Sequence, residues 1–232
     1  MSLETEIRNE LANWGAAFVH FVDVSHLTAK QNKGLNTAIL FGLPLSPEFI
    51  REVAQTNDYV EQLVRSNRQD EDEFSRKEAE TDRIADDLAD YLQTKGYSVY
   101  SQSEKNLMAN DCYDADSHST LLPHKTIAVL AGIGWIGKHN LLITNEQGSA
   151  ISMCTVLTDA PLPTPTGTEV HPKCGNCTIC RDICPTGALT GKSWDKNTTR
   201  DELVNVNTCT TCLKCLVHCP WTQSYTQKHF VR

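Results

Sequence analysis

Residues 174–185 read Cys-Gly-Asn-Cys-Thr-Ile-Cys-Arg-Asp-Ile-Cys-Pro, and residues 209–220 read Cys-Thr-Thr-Cys-Leu-Lys-Cys-Leu-Val-His-Cys-Pro. Both follow the spacing C-x₂-C-x₂-C-x₃-C-P. Eight of the ten cysteines in the chain, Cys174, Cys177, Cys180, Cys184, Cys209, Cys212, Cys215 and Cys219, fall into these two runs. The x₂ intervals let three thiolates converge on one compact metal centre, while the fourth is carried beyond the turn. Pro185 and Pro220 are each expected to end the local helix and turn the chain away.

The run is similar to the signature of two-cluster ferredoxins, which hold two [4Fe–4S] cubanes and whose fourth cysteine reaches across to the other cluster. By that analogy Cys174, Cys177, Cys180 and Cys219 hold one cluster, and Cys209, Cys212, Cys215 and Cys184 hold the other. A zinc ribbon also uses C-x₂-C pairs, but it needs four ligands per metal and no third cysteine two residues on. A disulfide framework calls for an oxidising compartment, and the first 30 residues carry no apolar signal segment.

The cluster module takes up residues 166–232, leaving 1–165 as a front domain far larger than a carrier ferredoxin needs. That domain is expected to supply a substrate, cofactor or partner site. The net charge of −8 argues against a dominant polyanion-binding surface. No stretch approaches the ~20 apolar residues of a membrane span, so a cytoplasmic protein without a membrane partner is expected. Cys154 lies in an apolar run and reads as a small buried hydrophobe. Cys112 lies in a polar loop and is either inert or reactive.

Leu3, Ile7, Leu11 and Trp14 give residues 3–14 one apolar helical face, closed by Gly15. Residues 16–24 and 37–42 read as strands. Ser46-Pro47-Glu48 is a helix start, and that helix is expected to run to about Arg65. The longest helix is placed at 70–95, with Ile84, Leu88, Tyr91 and Leu92 as its stripe and Gly96 as its stop. Residues 97–101 read as a strand, 102–119 as a polar loop and 121–131 as a helix. A hairpin of 141–144 and 149–157 is expected around Asn145-Glu146-Gln147-Gly148, followed by an extended proline-rich linker over 158–172. This mixture makes the front domain α+β or α/β.

Gly132-Ile-Gly-Trp-Ile-Gly-Lys138 contains G-x-G-x-x-G, but it follows a predicted helix rather than a strand, which weakens a dinucleotide-site reading. Its glycines suit positive φ or close approach of a bulky flat group, and a tight turn packed on the hairpin is the other reading. The stretch Ala131-Gly-Ile-Gly-Trp-Ile-Gly-Lys-His-Asn-Leu-Leu-Ile-Thr144 resembles the epoxyqueuosine reductase family. So do Thr155–Leu162, Cys184-Pro-Thr-Gly-Ala188 and Cys219-Pro-Trp221. The family is related to the reductive dehalogenases. The resemblance implies a cobalamin in the front domain that receives electrons from the two clusters. Gly132, Gly134, Trp135, Gly137, Lys138 and Asn140 are the implied cofactor-binding residues. Where the family carries an acidic aspartate upstream of the glycines, this chain has His118, with Asp116 two residues earlier; His124 and Tyr113 are alternatives as proton donor. The chain ends soon after the second repeat, without the helical repeats of many members. With the acidic charge, that favours a small-molecule substrate over tRNA. The expected function is therefore a corrinoid-dependent iron–sulfur reductase fed by a low-potential ferredoxin or flavodoxin-type donor. The rival is an electron carrier whose front domain docks a partner enzyme and binds no corrinoid.

Overall fold

The computed structural model describes residues 1–228. Its strands are β1 (Phe18–Asp23), β2 (Thr37–Pro44), β3 (Val99–Ser101), β4 (Tyr113–Asp114), β5 (Ser119–Thr120), β6 (Gly134–Ile136), β7 (Leu142–Thr144) and β8 (Ile151–Thr158). Two compact units are present, each assembled from three segments. The first comprises Met1–Pro44, Lys77–Gly132 and Ser152–Glu169; the second comprises Leu45–Arg76, Ile133–Ile151 and the chain from Val170 on. Where one boundary at 165/166 is expected from sequence, the chain passes from one unit to the other repeatedly, the last time after Glu169.

The first unit is built on a four-stranded sheet in the order β1-β2-β8-β3. β1 and β2 are antiparallel from Phe18↔Gly42 to Asp23↔Thr37, and β3 and β8 are antiparallel from Val99↔Thr158 to Ser101↔Val156. β2 and β8 sit centrally, and Ala38–Leu43 and Cys154–Leu157 are accordingly buried without alternation. The helix Leu3–Asn13 starts where the Ser2 hydroxyl accepts from the Thr5 N–H, and it buries Ile7 and Leu11. The helix Glu73–Thr94 adds Ile84, Ala85, Leu88 and Leu92 to the same core with Phe21, Ile39, Phe41, Cys154 and Val156. Gly96 at φ +90° closes that helix, as the sequence implies.

Three local expectations change. The helix expected over 46–65 is two helices, Pro47–Gln55 and Tyr59–Ser66. Between them Thr56 is extended and Asp58 is left-handed, because Thr, Asn and Asp side chains offer the backbone alternatives to helical bonding. The polar loop 102–119 contains a helix, Glu104–Ala109, and the short β4–β5 hairpin. The hairpin expected at 141–157 does not form as drawn. β7 pairs instead with β6, from Gly134↔Thr144 to Ile136↔Leu142, while β8 joins the other sheet.

The second unit gathers the helix Pro47–Gln55, the β6–β7 ribbon and the cysteine runs. Phe49, Ile50 and Val53 pack against Leu213, Leu216, Val217 and Tyr225, and the Tyr225 hydroxyl donates to the Leu45 carbonyl at 2.9 Å. Pro220 opens the helix Pro220–Lys228 rather than only ending one. A proline's missing N–H costs nothing in the first turn.

Candidate iron–sulfur site

Cys174, Cys177, Cys180 and Cys219 line one cavity of ≈ 180 Å³, together with Lys138 and Trp221. The tight spacing is realised as a turn in which the Cys177 N–H donates to the Cys174 carbonyl at 3.0 Å, and Cys180 lies in the short helix Ile179–Asp182. Three of the four come from the first run and the fourth from the second. Burial pushes the Cys180 thiol up to about 11, with Cys219, Cys174 and Cys177 adding to the rise. Burial also raises Cys219, again with Cys174 and Cys177 as neighbours.

Cys215 stands in a second such group. Burial pushes its thiol up to about 12, with Cys212, Cys209, Cys180 and Cys184 contributing in that order. Burial raises Cys184 as well, but the Thr186 hydroxyl and the N–H groups of Thr186, Leu189 and Ala188 outweigh it, so the thiol lies below its ordinary value. Crowded, buried thiols resist ionisation one beside another. A bound metal centre reverses that, since its own charge deprotonates a coordinating thiol outright.

The donor set fits iron–sulfur clusters: soft thiolates, four to a group, in partly dry surroundings. Among the described residues no three His, Cys, Asp or Glu side chains converge on a single ion position. A cubane does not ask for that, since each of its four irons takes one thiolate. Trp135 gives an independent sign. It is fully buried beside Cys174 and Cys219, stacked edge-to-face on Trp221 with centroids 4.9 Å apart. Its indole Nε1 is buried with no hydrogen-bond partner. A buried donor of that kind is rare without an acceptor, and cluster sulfur accepts such bonds.

The glycine segment expected to face a corrinoid is arranged differently. A Cβ on Gly134 would lie 2.1 Å from the Ile143 carbonyl oxygen, and one on Gly132 would lie 2.5 Å from that of Thr168. At Gly137 the nearest atoms belong to Ile143 and His139. The close approach these glycines permit is thus of the chain to itself, and the segment is a strand and turn. Trp135 is enclosed, and Lys138 spends its ammonium on the carbonyl oxygens of Gly175 and Cys177, at 2.8 and 2.9 Å. Asn140, half-buried at φ 64°, ends the turn. The neighbouring ≈ 180 Å³ cavity is below the ~300–1,000 Å³ of ordinary ligand pockets.

His118 and Asp116 lie in the exposed β4–β5 turn. The Tyr113 hydroxyl stands 2.9 Å from His118 Nδ1, and the Asp116 N–H donates to the Asp114 carboxylate at 2.9 Å. His124 is set apart from them. Its Nδ1 is 2.9 Å from the Thr155 hydroxyl, and burial pushes its pKa down to about 4, so it is neutral at pH 7 and no ready acid. Cys154 is wholly buried, as expected; Cys112 is also buried, within 3.5 Å of the Tyr100 hydroxyl. The sequence singles out Trp221 only within Cys219-Pro-Trp221 and assigns it no place at the site, and it does not single out Lys173, whose ammonium lies 5.4 Å from the Trp135 ring centre and 5.8 Å from that of Trp221. The adjacency of Trp221 to Cys219-Pro220 is the signal that could have found it.

Residues 173–222 match the 4Fe-4S dicluster domain family. Epoxyqueuosine reductase of Escherichia coli (strain K12) is 43% identical over 65 residues, 28% of this chain and 17% of that protein. The stretch shared with this curated relative is thus about a sixth of its length. The solved epoxyqueuosine reductase of Streptococcus thermophilus is similar over 96% of this chain and 67% of its own, with a TM-score of 0.55 and 17% identity. A reductive dehalogenase whose structure is described as suggesting a mechanism for B12-dependent dehalogenation is similar over 90% of this chain and 30% of its own, with a TM-score of 0.66 and 18% identity. Another solved epoxyqueuosine reductase, at a TM-score of 0.56 and 16% identity over 96% of this chain and 66% of its own, holds an epoxyqueuosine-modified tRNA-Tyr stem loop. The stem loop there is that protein's ligand, where the sequence of this chain leads to the expectation of a small-molecule substrate without nucleic acid. A net charge sums the whole surface and does not exclude a nucleic-acid site on this fold. Among the described residues, no helix is long and apolar enough to cross a membrane. The chain carries a 4Fe-4S dicluster domain at residues 173–222, resembles the epoxyqueuosine reductases over that part of its sequence, and has a fold similar to theirs and to that of the reductive dehalogenases.

Proposed function

We propose that this chain is a two-cluster iron–sulfur reductase, cytoplasmic and fed by a low-potential donor, that serves a corrinoid and acts on a modified nucleoside in tRNA. The observation that carries the reading is the pairing of the dicluster run, matched at residues 173–222, with a fold similar over most of its length to both groups of relatives. Cys174, Cys177, Cys180 and Cys219 hold one cubane and Cys184, Cys209, Cys212 and Cys215 the other. The second group includes the exposed Cys209 and suits electron entry; the first is more enclosed and suits delivery.

A corrinoid, when bound, supplies a strongly reducing cobalt centre that the side chains of this chain cannot provide. None of residues 132–140 is assigned to its seat. His118, whose Nδ1 lies 2.9 Å from the Tyr113 hydroxyl, is the proton donor.

The test uses the full chain, reconstituted anaerobically with iron and sulfide, incubated with cob(II)alamin and desalted. About one corrinoid per chain should remain, and dithionite should then drive loss of the epoxide from an epoxyqueuosine-bearing stem loop. A chain that keeps its iron but retains no corrinoid and leaves the stem loop unchanged is an electron carrier for a partner enzyme, and the reading fails.

A further inference from the structure

Lys138 is only 8% exposed, yet among the described residues its ammonium bonds to two carbonyl oxygens and to no carboxylate. A buried cation without a counter-ion is costly, and such a charge is normally paired or neutralised. Both carbonyls, of Gly175 and Cys177, belong to the turn that carries the first cysteines, and Lys138 lines the cavity with Cys174, Cys177, Cys180 and Cys219. A cubane held by four thiolates is an anion in both of its working states and gains one further negative charge on reduction. The missing counter-ion is therefore the cluster itself.

We propose that Lys138 is a positioning residue for this cluster, clamping its loop through two carbonyls while its buried charge raises the cluster's reduction potential above that of the second. The inference rests on the assignment of Cys174, Cys177, Cys180 and Cys219 to one cubane. The physics is a charge effect: a fixed cation in a poorly screened setting favours the reduced, more negative form. Lys173 lies over Trp135 and Trp221 at the same cavity but is exposed, so water screens it and its share is smaller. Charge and clamp come from β6–β7, a ribbon outside the cysteine runs. The second unit thereby distinguishes two clusters that the repeated sequence would otherwise make alike.

The experiment compares the parent chain with Lys138→Met and Lys138→Arg, each reconstituted anaerobically. Iron is counted, and the chains are titrated with dithionite while the reduced clusters are followed by electron paramagnetic resonance. Lys138→Met should lower the potential of one cluster so that it is roughly tenfold less reduced at a fixed potential, a fall of about 59 mV for one electron. The other cluster should not move. Lys138→Arg should stay close to the parent. If Lys138→Met leaves both potentials where they were, or shifts both alike, the proposal is wrong. If Lys138→Met loses a cluster, Lys138→Arg decides: retention of about eight irons at the parent's potentials supports the role of the charge, and loss there too refutes it. A parent chain that assembles fewer than two cubanes would instead overturn the cluster assignment, independently of Lys138.

Discussion

Cys184 stands in the first run of the sequence, yet the side chain whose ionisation it hinders is Cys215 of the second. The reciprocal holds for Cys219, whose neighbours are Cys174 and Cys177. This exchange makes single substitutions informative. Cys184→Ser and Cys215→Ser should each lose about four of eight irons and leave the same surviving resonance signal, whereas Cys177→Ser and Cys219→Ser should share the other signal. Survivors that sort by run instead, Cys184 with Cys177, would show that the fourth ligands do not cross. Gly134 is a second informative residue. With its Cβ position 2.1 Å from the Ile143 carbonyl, Gly134→Val must break the ribbon that carries Trp135 and Lys138. Overpacking against backbone should cost about 3 kcal/mol or more, read as a lower thermal midpoint together with lost cluster iron. A variant as stable as the parent would contradict this placement.

The cysteine runs, the stripe of the long helix and the Ser46-Pro47 start could be read before the fold was known, because each depends on chemistry within a few residues. The partner of β7 could not. Asn145-Glu146-Gln147-Gly148 looks like a hairpin turn, and Gly148 does bond back to Thr144 in an isolated bridge. The strand that pairs with residues 142–144, however, comes from a glycine segment with weak strand propensity, and tertiary packing decided between them. The helix His124–Leu130 offers a test at the same scale. His124 sits at its first position, where neither burial nor the positive end of the helix favours an imidazolium. Its folded pKa of about 4 lies below the ordinary 6.5, so the unfolded chain binds more protons between these values. Stability should thus be unaffected by this group above pH 6.5, fall as the pH drops from 6.5 to 4, and level off below. His124→Gln should flatten that part of the pH–stability curve. An unchanged slope in denaturant melts at pH 4–7 would show that His124 is not held neutral by the fold.

Across the whole molecule, local pattern was sufficient for the chemistry but not for the connectivity. Thiol spacing announces an iron–sulfur protein within a dozen residues, whereas units stitched from three segments each depend on contacts between distant parts of the chain. The packing of the glycine segment was hidden for the same reason. Its glycines make room for Ile143, Thr168 and His139, which lie in other turns and strands or fold back over it. Net charge is a coarse guide in another way, since −8 is a sum over every face while a phosphate backbone would meet one face. What joins these levels is the claim that two crossed sets of four cysteines hold two cubanes. Iron and sulfide analysis of the full chain, prepared without oxygen and read alongside its Mössbauer spectrum, tests that most directly. The account predicts about eight iron and eight sulfide per chain, all in four-iron centres. Stoichiometric zinc, or iron limited to a single centre, would contradict it.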